Sequence, residues 1–121
     1  MANVNTFVTQ QLIGPYALDE LPAPLQITFK DFQEVIMNLT GFTATFDIIR
    51  LDGATPAGIG AGTATIPTPA SGLTQYAWAQ IDFQTAGMYR GVMWVRDGSQ
   101  RYASEFFEWF VRDSLTTAPS L

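Results

Sequence analysis

The sequence has no cysteine, no histidine and a single lysine. Without cysteine, disulfides, thiol catalysis and thiolate metal sites are excluded within the chain. Without histidine, the commonest general base and zinc ligand are missing, and with them the Ser-His-Asp triad. A Ser-Lys pair would need Lys30, which lies in a regularly alternating segment with no companion motif. Charge is also scarce, at 14% of residues against about a quarter in an average domain. The six basic residues, Lys30, Arg50, Arg90, Arg96, Arg101 and Arg112, are scattered through a chain of net charge −5. No basic cluster is available for nucleic-acid phosphates or an anionic membrane, so neither is expected as a partner. The uncharged stretch from Gly53 to Ile81 is rich in Gly, Pro, Thr and Gln, whereas a spanning helix needs about 20 mostly apolar residues. The opening MANVNTFVTQQL has neither the basic start nor the apolar run of a signal peptide.

Motifs for chemistry are equally sparse. Gly58-Ile59-Gly60-Ala61-Gly62 lacks the Lys-Ser/Thr ending of a phosphate-binding loop and reads as a flexible connection. No GxSxG elbow occurs. The closest carboxylate sets for glycoside hydrolysis are Asp19-Glu20 and Glu105 with Glu108. Adjacent residues of an extended chain point apart, and an odd spacing puts Glu105 and Glu108 on opposite faces of a regular strand. Asp47 and Asp52 fall short of the dense acidic spacing of a calcium loop. No catalytic, cofactor-binding or metal-ligating residue is therefore assigned, and a non-enzymatic protein is expected.

What is present is period-two alternation between turn signals, over 121 residues that suit one domain. A domain of this size buries roughly two-thirds of its unfolded surface, enough to fold without staples. Residues 1–24 read as an extended arm in which Val4–Ile13 can form a strand, ended by Gly14-Pro15 and followed by the extended Pro22-Ala23-Pro24. Leu25–Asp31 alternates with Leu25, Ile27 and Phe29 on one face. Asp31–Leu39 has a weak helical look, with Val35–Met37 readable as a short strand. In Phe42–Leu51, Phe42, Ala44, Phe46 and Ile48 point inward, and Asp52-Gly53 is a hairpin-type turn signal. Thr63–Ile66, Thr74–Ile81, Tyr89–Arg96 and Arg101–Arg112 complete seven or eight strands, the last two joined at Asp97-Gly98. Tyr89, Gly91, Met93 and Val95 share a face. Phe107, Trp109 and Val111 oppose Phe106, Glu108 and Phe110, so both faces of the last strand carry large apolar groups. Such a strand is either central or covered by a partner.

The expected architecture is an all-β, immunoglobulin-like antiparallel sandwich over residues 25–113, with a C-terminal tail at 114–121. Asp82-Phe83-Gln84-Thr85-Ala86-Gly87-Met88-Tyr89 supports it. An Asp and a Gly before a strand-opening Tyr fit the corner where the Tyr hydroxyl bonds back to upstream backbone. The alternative is an ordinary loop ending in a strand aromatic.

The stretch LQITFKDFQEVIMNLTGFTATFDIIRLDG carries a further likeness. An apolar strand, a polar turn, a short strand, Leu39-Thr40-Gly41 and a long alternating strand follow one another. Further along come an aromatic strand at Tyr76–Ile81, the Asp82–Tyr89 segment, Gly91–Arg96, Asp97-Gly98 and Arg101–Val111. Over roughly Leu21 to Arg112 this resembles the N-terminal domain of bacteriophage upper baseplate proteins of the BppU type. That family usually has Asp before its Leu-Thr-Gly; here the residue is Asn38. The resemblance implies an Ig-like fold, no catalytic residues and a place in a virion made in the host cytoplasm, in baseplate, tail, neck or as capsid decoration.

Together these readings give a virion structural protein that docks on other virion proteins, in a homo-oligomer or symmetric multi-copy assembly, with no cofactor. Phe7, Val8, Leu12, Ile13 and Tyr16 are the candidate interface, being too apolar for a free arm. They are expected to order against the domain or a neighbouring subunit. The alternative function is a carbohydrate-binding module recognising host-surface glycans. It requires at least two of Tyr76, Trp78, Trp94, Tyr102 and Trp109 to be exposed and roughly coplanar, since flat aromatic faces stack on sugars.

Overall fold

The computed structural model describes residues 4–6, 12–31, 33–51, 58–79, 83, 85–113 and 119. The strands are β1 (Val4–Thr6), β2 (Leu12–Ala17), β3 (Leu25–Asp31), β4 (Thr43–Arg50), β5 (Gly58–Thr68), β6 (Leu73–Tyr76), β7 (Gly87–Arg96), β8 (Arg101–Ala103) and β9 (Phe107–Arg112). A single 3₁₀ turn, Pro69–Ser71, separates β5 from β6. The strand order is β1-β3-β6-β5-β4-β7-β9-β2, with β8 beside β7. All pairs are antiparallel except β2–β9, which is parallel.

This continuous sheet curls into two facing layers. β5 makes the corner: its first half pairs with β4, from Ile49↔Gly58 to Ala44↔Ala64, and its end pairs with β6 at Thr65↔Gln75 and Thr68↔Leu73. One layer is therefore β1, β3, β6 and the end of β5; the other is the start of β5, β4, β7, β9 and β2, with β8. Aromatic rings join the layers. Tyr76 of β6 lies 4.8 Å from Phe46 of β4, and Trp78 lies 5.2 Å from Trp109 of β9. The fold is an immunoglobulin-like β-sandwich.

The inward sets follow the period of two. Ile27 and Phe29 of β3, Ala44, Phe46 and Ile48 of β4, and Met93 and Val95 of β7 are buried together. Gly91 faces inward among them for a steric reason. A Cβ there would stand 2.5 Å from Phe46 Cζ and 2.9 Å from Trp109 Cη2, so glycine makes room for the Phe46–Trp109 stack. The Tyr89 hydroxyl donates to Thr85 O, four residues upstream, closing the corner expected from the sequence. Leu39-Thr40-Gly41 is a turn as read. Asn38 Oδ1 accepts from Thr40 N at 3.0 Å and Thr40 Oγ1 at 2.6 Å, while Leu39 is buried. An amide oxygen serves as acceptor there as well as a carboxylate would.

Several expectations are corrected. Nine strands are described rather than seven or eight. Residues 1–24 hold two of them, β1 on β3 and β2 on β9, and β2 runs through Gly14-Pro15, which in sequence reads as a break. Val35–Met37 is a single bridge, Ile36 to Lys30, rather than a short strand, and residues 33–39 are not helical, with Asp31 Oδ1 accepting from Gln33 N and Val35 N. The side chain thereby offers the backbone an alternative to helix. The glycine-rich run is not a loop, since Gly58–Gly62 is the first half of β5. At Gly62 a Cβ would collide with the Tyr76 ring, so that position favours glycine within the strand. Finally, Arg101–Arg112 is two strands rather than one. From Trp94 to Gly91 β7 advances three residues, whereas its partners advance four, from Ala103 to Phe107. The extra residue is a β-bulge. Ser104 holds it: its Oγ accepts from Met93 N at 2.9 Å and donates to Glu105 O at 2.7 Å, and its N–H donates to Met93 O at 2.8 Å.

Candidate functional site

The bulge decides what the last strand shows to solvent. Tyr102, opposite Val95, lies on the core side and stacks on Phe42. Strict alternation from Tyr102 would bury Phe106, Glu108 and Phe110. The inserted residue instead turns Phe107, Trp109 and Val111 inward, where all three are buried. Glu108 is left outside, opposite Arg90 and within 3.3 Å of its guanidinium.

The outer face of this layer is apolar to an unusual degree. Of the eight large apolar side chains exposed among the described residues, five lie on it: Ile49, Leu51, Trp94, Phe106 and Phe110. Register places them together. Ile49 is opposite Arg90, Thr45 opposite Trp94, and Met88 opposite Phe110, while Leu51 N donates to Met88 O at 2.8 Å. The Arg90 guanidinium lies 4.3 Å above the centre of the Phe106 ring, a cation–π contact that also leaves it bonded to Glu108. Arg90 thus covers part of the apolar surface with its stem while its charge stays paired. Arg96, Arg101 and Arg112 stand at the ends of this face, while Asp47 lies on β4 between Ile49 and Thr45.

One end of this face is concave. Thr45, Asp47, Trp94, Arg96 and Arg101 line an open cleft of about 340 Å³. Arg96 and Arg101 are directly opposite each other across the β7–β8 hairpin. The hairpin is pinned by Asp97, whose Oδ1 accepts from Ser99 N at 2.8 Å and Gln100 N at 2.6 Å. Those backbone bonds hold the Asp97 carboxyl below the ordinary aspartate range.

Of the residues expected to order against the domain or a neighbouring subunit, those described lie against the domain. Phe7 and Val8 lie outside the described residues. Leu12 and Ile13 belong to β2, in register with Glu108 and Trp109. Tyr16 is half-buried in the domain's own core, 5.0 Å from Phe83 and 5.9 Å from Trp78. Burial, and then the nearby Glu20, push its phenol above the usual tyrosine value. The coplanar aromatic platform is not formed. Tyr76, Trp78 and Trp109 are buried in the core and Tyr102 is half-buried on Phe42, so Trp94 is the exposed member. The apolar face was half-legible in sequence, as a last strand apolar on both sides; its members from β4 were not.

Among the described residues no group of three or more His, Cys, Asp or Glu is placed to hold a metal ion. No described helix is long and apolar enough to cross a membrane.

Comparison with known proteins adds little. No family model matches the chain, and no curated protein does. A solved structure of murine CRIg is similar over 94% of this chain and 98% of that one, at 10% identity and a TM-score of 0.38. At that distance the fold assignment rests on the strand order, the facing layers and the tyrosine corner.

Proposed function

We propose that the chain is a non-enzymatic structural component of a tailed-bacteriophage particle. It docks on a neighbouring virion subunit through the outer face of β4, β7 and β9. The observation that carries the docking reading is the gathering of Ile49, Leu51, Trp94, Phe106 and Phe110 on one sheet face, with arginines at its ends. Aromatics and Arg at the centre of a patch, with polar groups at its rim, are the composition of protein interfaces. The face is a sheet surface rather than a groove, which suits a folded subunit more than a single helix. The virion assignment is supported by the resemblance of Leu21 to Arg112 to baseplate domains, and baseplate, tail, neck and capsid positions all fit it.

The test is a double substitution, Phe106→Ser with Phe110→Ser, in the full chain. Light scattering after size exclusion gives its mass, and co-sedimentation with particles lacking the protein gives its incorporation. Loss of self-association or of incorporation, with the fold retained by near-UV circular dichroism, is the expected result. Unchanged incorporation would remove this face from the assembly. The carbohydrate-binding reading keeps one observation in its favour, the cleft beside Trp94.

A further inference from the structure

The cleft at the β7–β8 end of the sheet has a chemistry of its own. Two of the six basic residues, Arg96 and Arg101, stand directly opposite each other. Like charges in that position repel. Among the described residues neither guanidinium is bonded to a carboxylate, although the chain carries a net charge of −5. Trp94 sits two residues before Arg96 on the same face. It is 37% exposed, against 7% for Trp78 and 0% for Trp109. The residue opposite it is Ala103, too small to cover the indole, and no other described ring packs on it. The remaining wall, Thr45 and Asp47, supplies a hydroxyl and a carboxylate.

We infer that this cleft binds a carboxylated sugar residue. The ligand's carboxylate meets the Arg96 and Arg101 forks, which match it in a planar, charge-assisted geometry. Its ring lies on the Trp94 face, and its hydroxyls donate to Asp47. An acidic peptide side chain satisfies the arginines equally well but brings neither hydroxyls for Asp47 nor a ring for the Trp94 face. A neutral sugar satisfies Trp94 and Asp47 and leaves the arginine pair repelling. The cleft volume of about 340 Å³ is at the small end of ligand sites, the size for one sugar ring rather than a long chain. The cleft shares Trp94 with the docking face but not Phe106 or Phe110, so the Phe106→Ser, Phe110→Ser pair tests docking and the arginine variants test the cleft.

The experiment titrates the full chain with D-glucuronate, D-glucose and acetate, followed by tryptophan fluorescence and by backbone amide shifts. Glucuronate is expected to perturb Trp94 and the β7–β8 amides saturably and to bind more weakly as salt rises, because its charge contact is exposed. Glucose and acetate are each expected to bind at least roughly tenfold more weakly, each lacking half of the contacts. Arg101→Gln and Arg96→Gln should each weaken glucuronate binding by a similar factor. Both are exposed positions, so thermal midpoints should not fall. Asp47→Asn removes a charged hydroxyl acceptor and also a like charge, so it should lower the ratio of glucuronate to acetate affinity. No response to glucuronate, an equal response to acetate, or a response that survives in the arginine variants overturns the proposal.

Discussion

On the outside of β3 and β6, Gln26 Nε2 donates to Gln75 Oε1 at 3.0 Å, with Thr28 and Lys30 beside them. On the outside of β4, β7 and β9 stand Ile49, Trp94, Phe106 and Phe110. Both faces belong to strands of the same alternating kind packed on one core. The first alternates apolar-in and polar-out, as a solvated antiparallel sheet does. The second carries large apolar side chains on its outer side as well as on its inner one. On the proposed docking reading, the inner sets stabilise the domain and the outer set is what it offers to others.

The largest effect should come from the inner side of β9. Trp109→Ala removes a fully buried indole stacked on both Phe46 and Tyr89. It should cost about 3–5 kcal/mol in urea unfolding. Phe110→Ala, one residue away and outward, should cost under about 1 kcal/mol. Comparable losses would mean that the outer face is structural and would erase the contrast. Next is Ser104→Ala, which leaves the buried Met93 N–H without its 2.9 Å acceptor. A loss of about 1–3 kcal/mol is expected, with exchange protection of the Met93 amide falling first. Tyr89→Phe, which deletes the corner bond to Thr85 O, should cost about 1 kcal/mol in the same unfolding assay. On the polar face, Gln26→Ala with Gln75→Ala should leave both stability and assembly nearly unchanged, measured by unfolding and by light scattering.

The smallest effects are those of pH, and they fall at opposite ends of the scale. The folded state holds the Tyr16 proton more tightly than the unfolded chain does. Its contribution is therefore complete below the unfolded value of 10.0 and is lost as pH rises through the higher folded value. Stability should decline on the alkaline side, and less so in Tyr16→Phe. Asp97 is lowered by its backbone bonds, so its contribution is present above the unfolded value of 3.8 and is lost as pH falls through the lower folded one. Amide shifts of Ser99 and Gln100 should follow that titration.

Local chemistry made much of this legible. Alternation in Leu25–Asp31, Phe42–Leu51 and Tyr89–Arg96 identified three strands and their inward residues, because a buried face repeats every second position. The Gly-x-Tyr of Gly87–Tyr89 marked the corner, and Asn38 with Thr40-Gly41 marked a turn, since both depend on neighbours in sequence. What sequence left open depends on partners far along the chain. Whether Phe106 or Phe107 faces inward is a question of parity, and both sets of the last strand are apolar enough for either answer. One residue inserted at Ser104, read against β7, settles it and keeps the Glu108 carboxylate out of the core beside Arg90. The same holds for β5, whose glycines look like a loop until the Tyr76 ring from β6 needs the space a Cβ would fill. It holds too for Arg96 and Arg101, five positions apart in sequence and brought face to face by the hairpin.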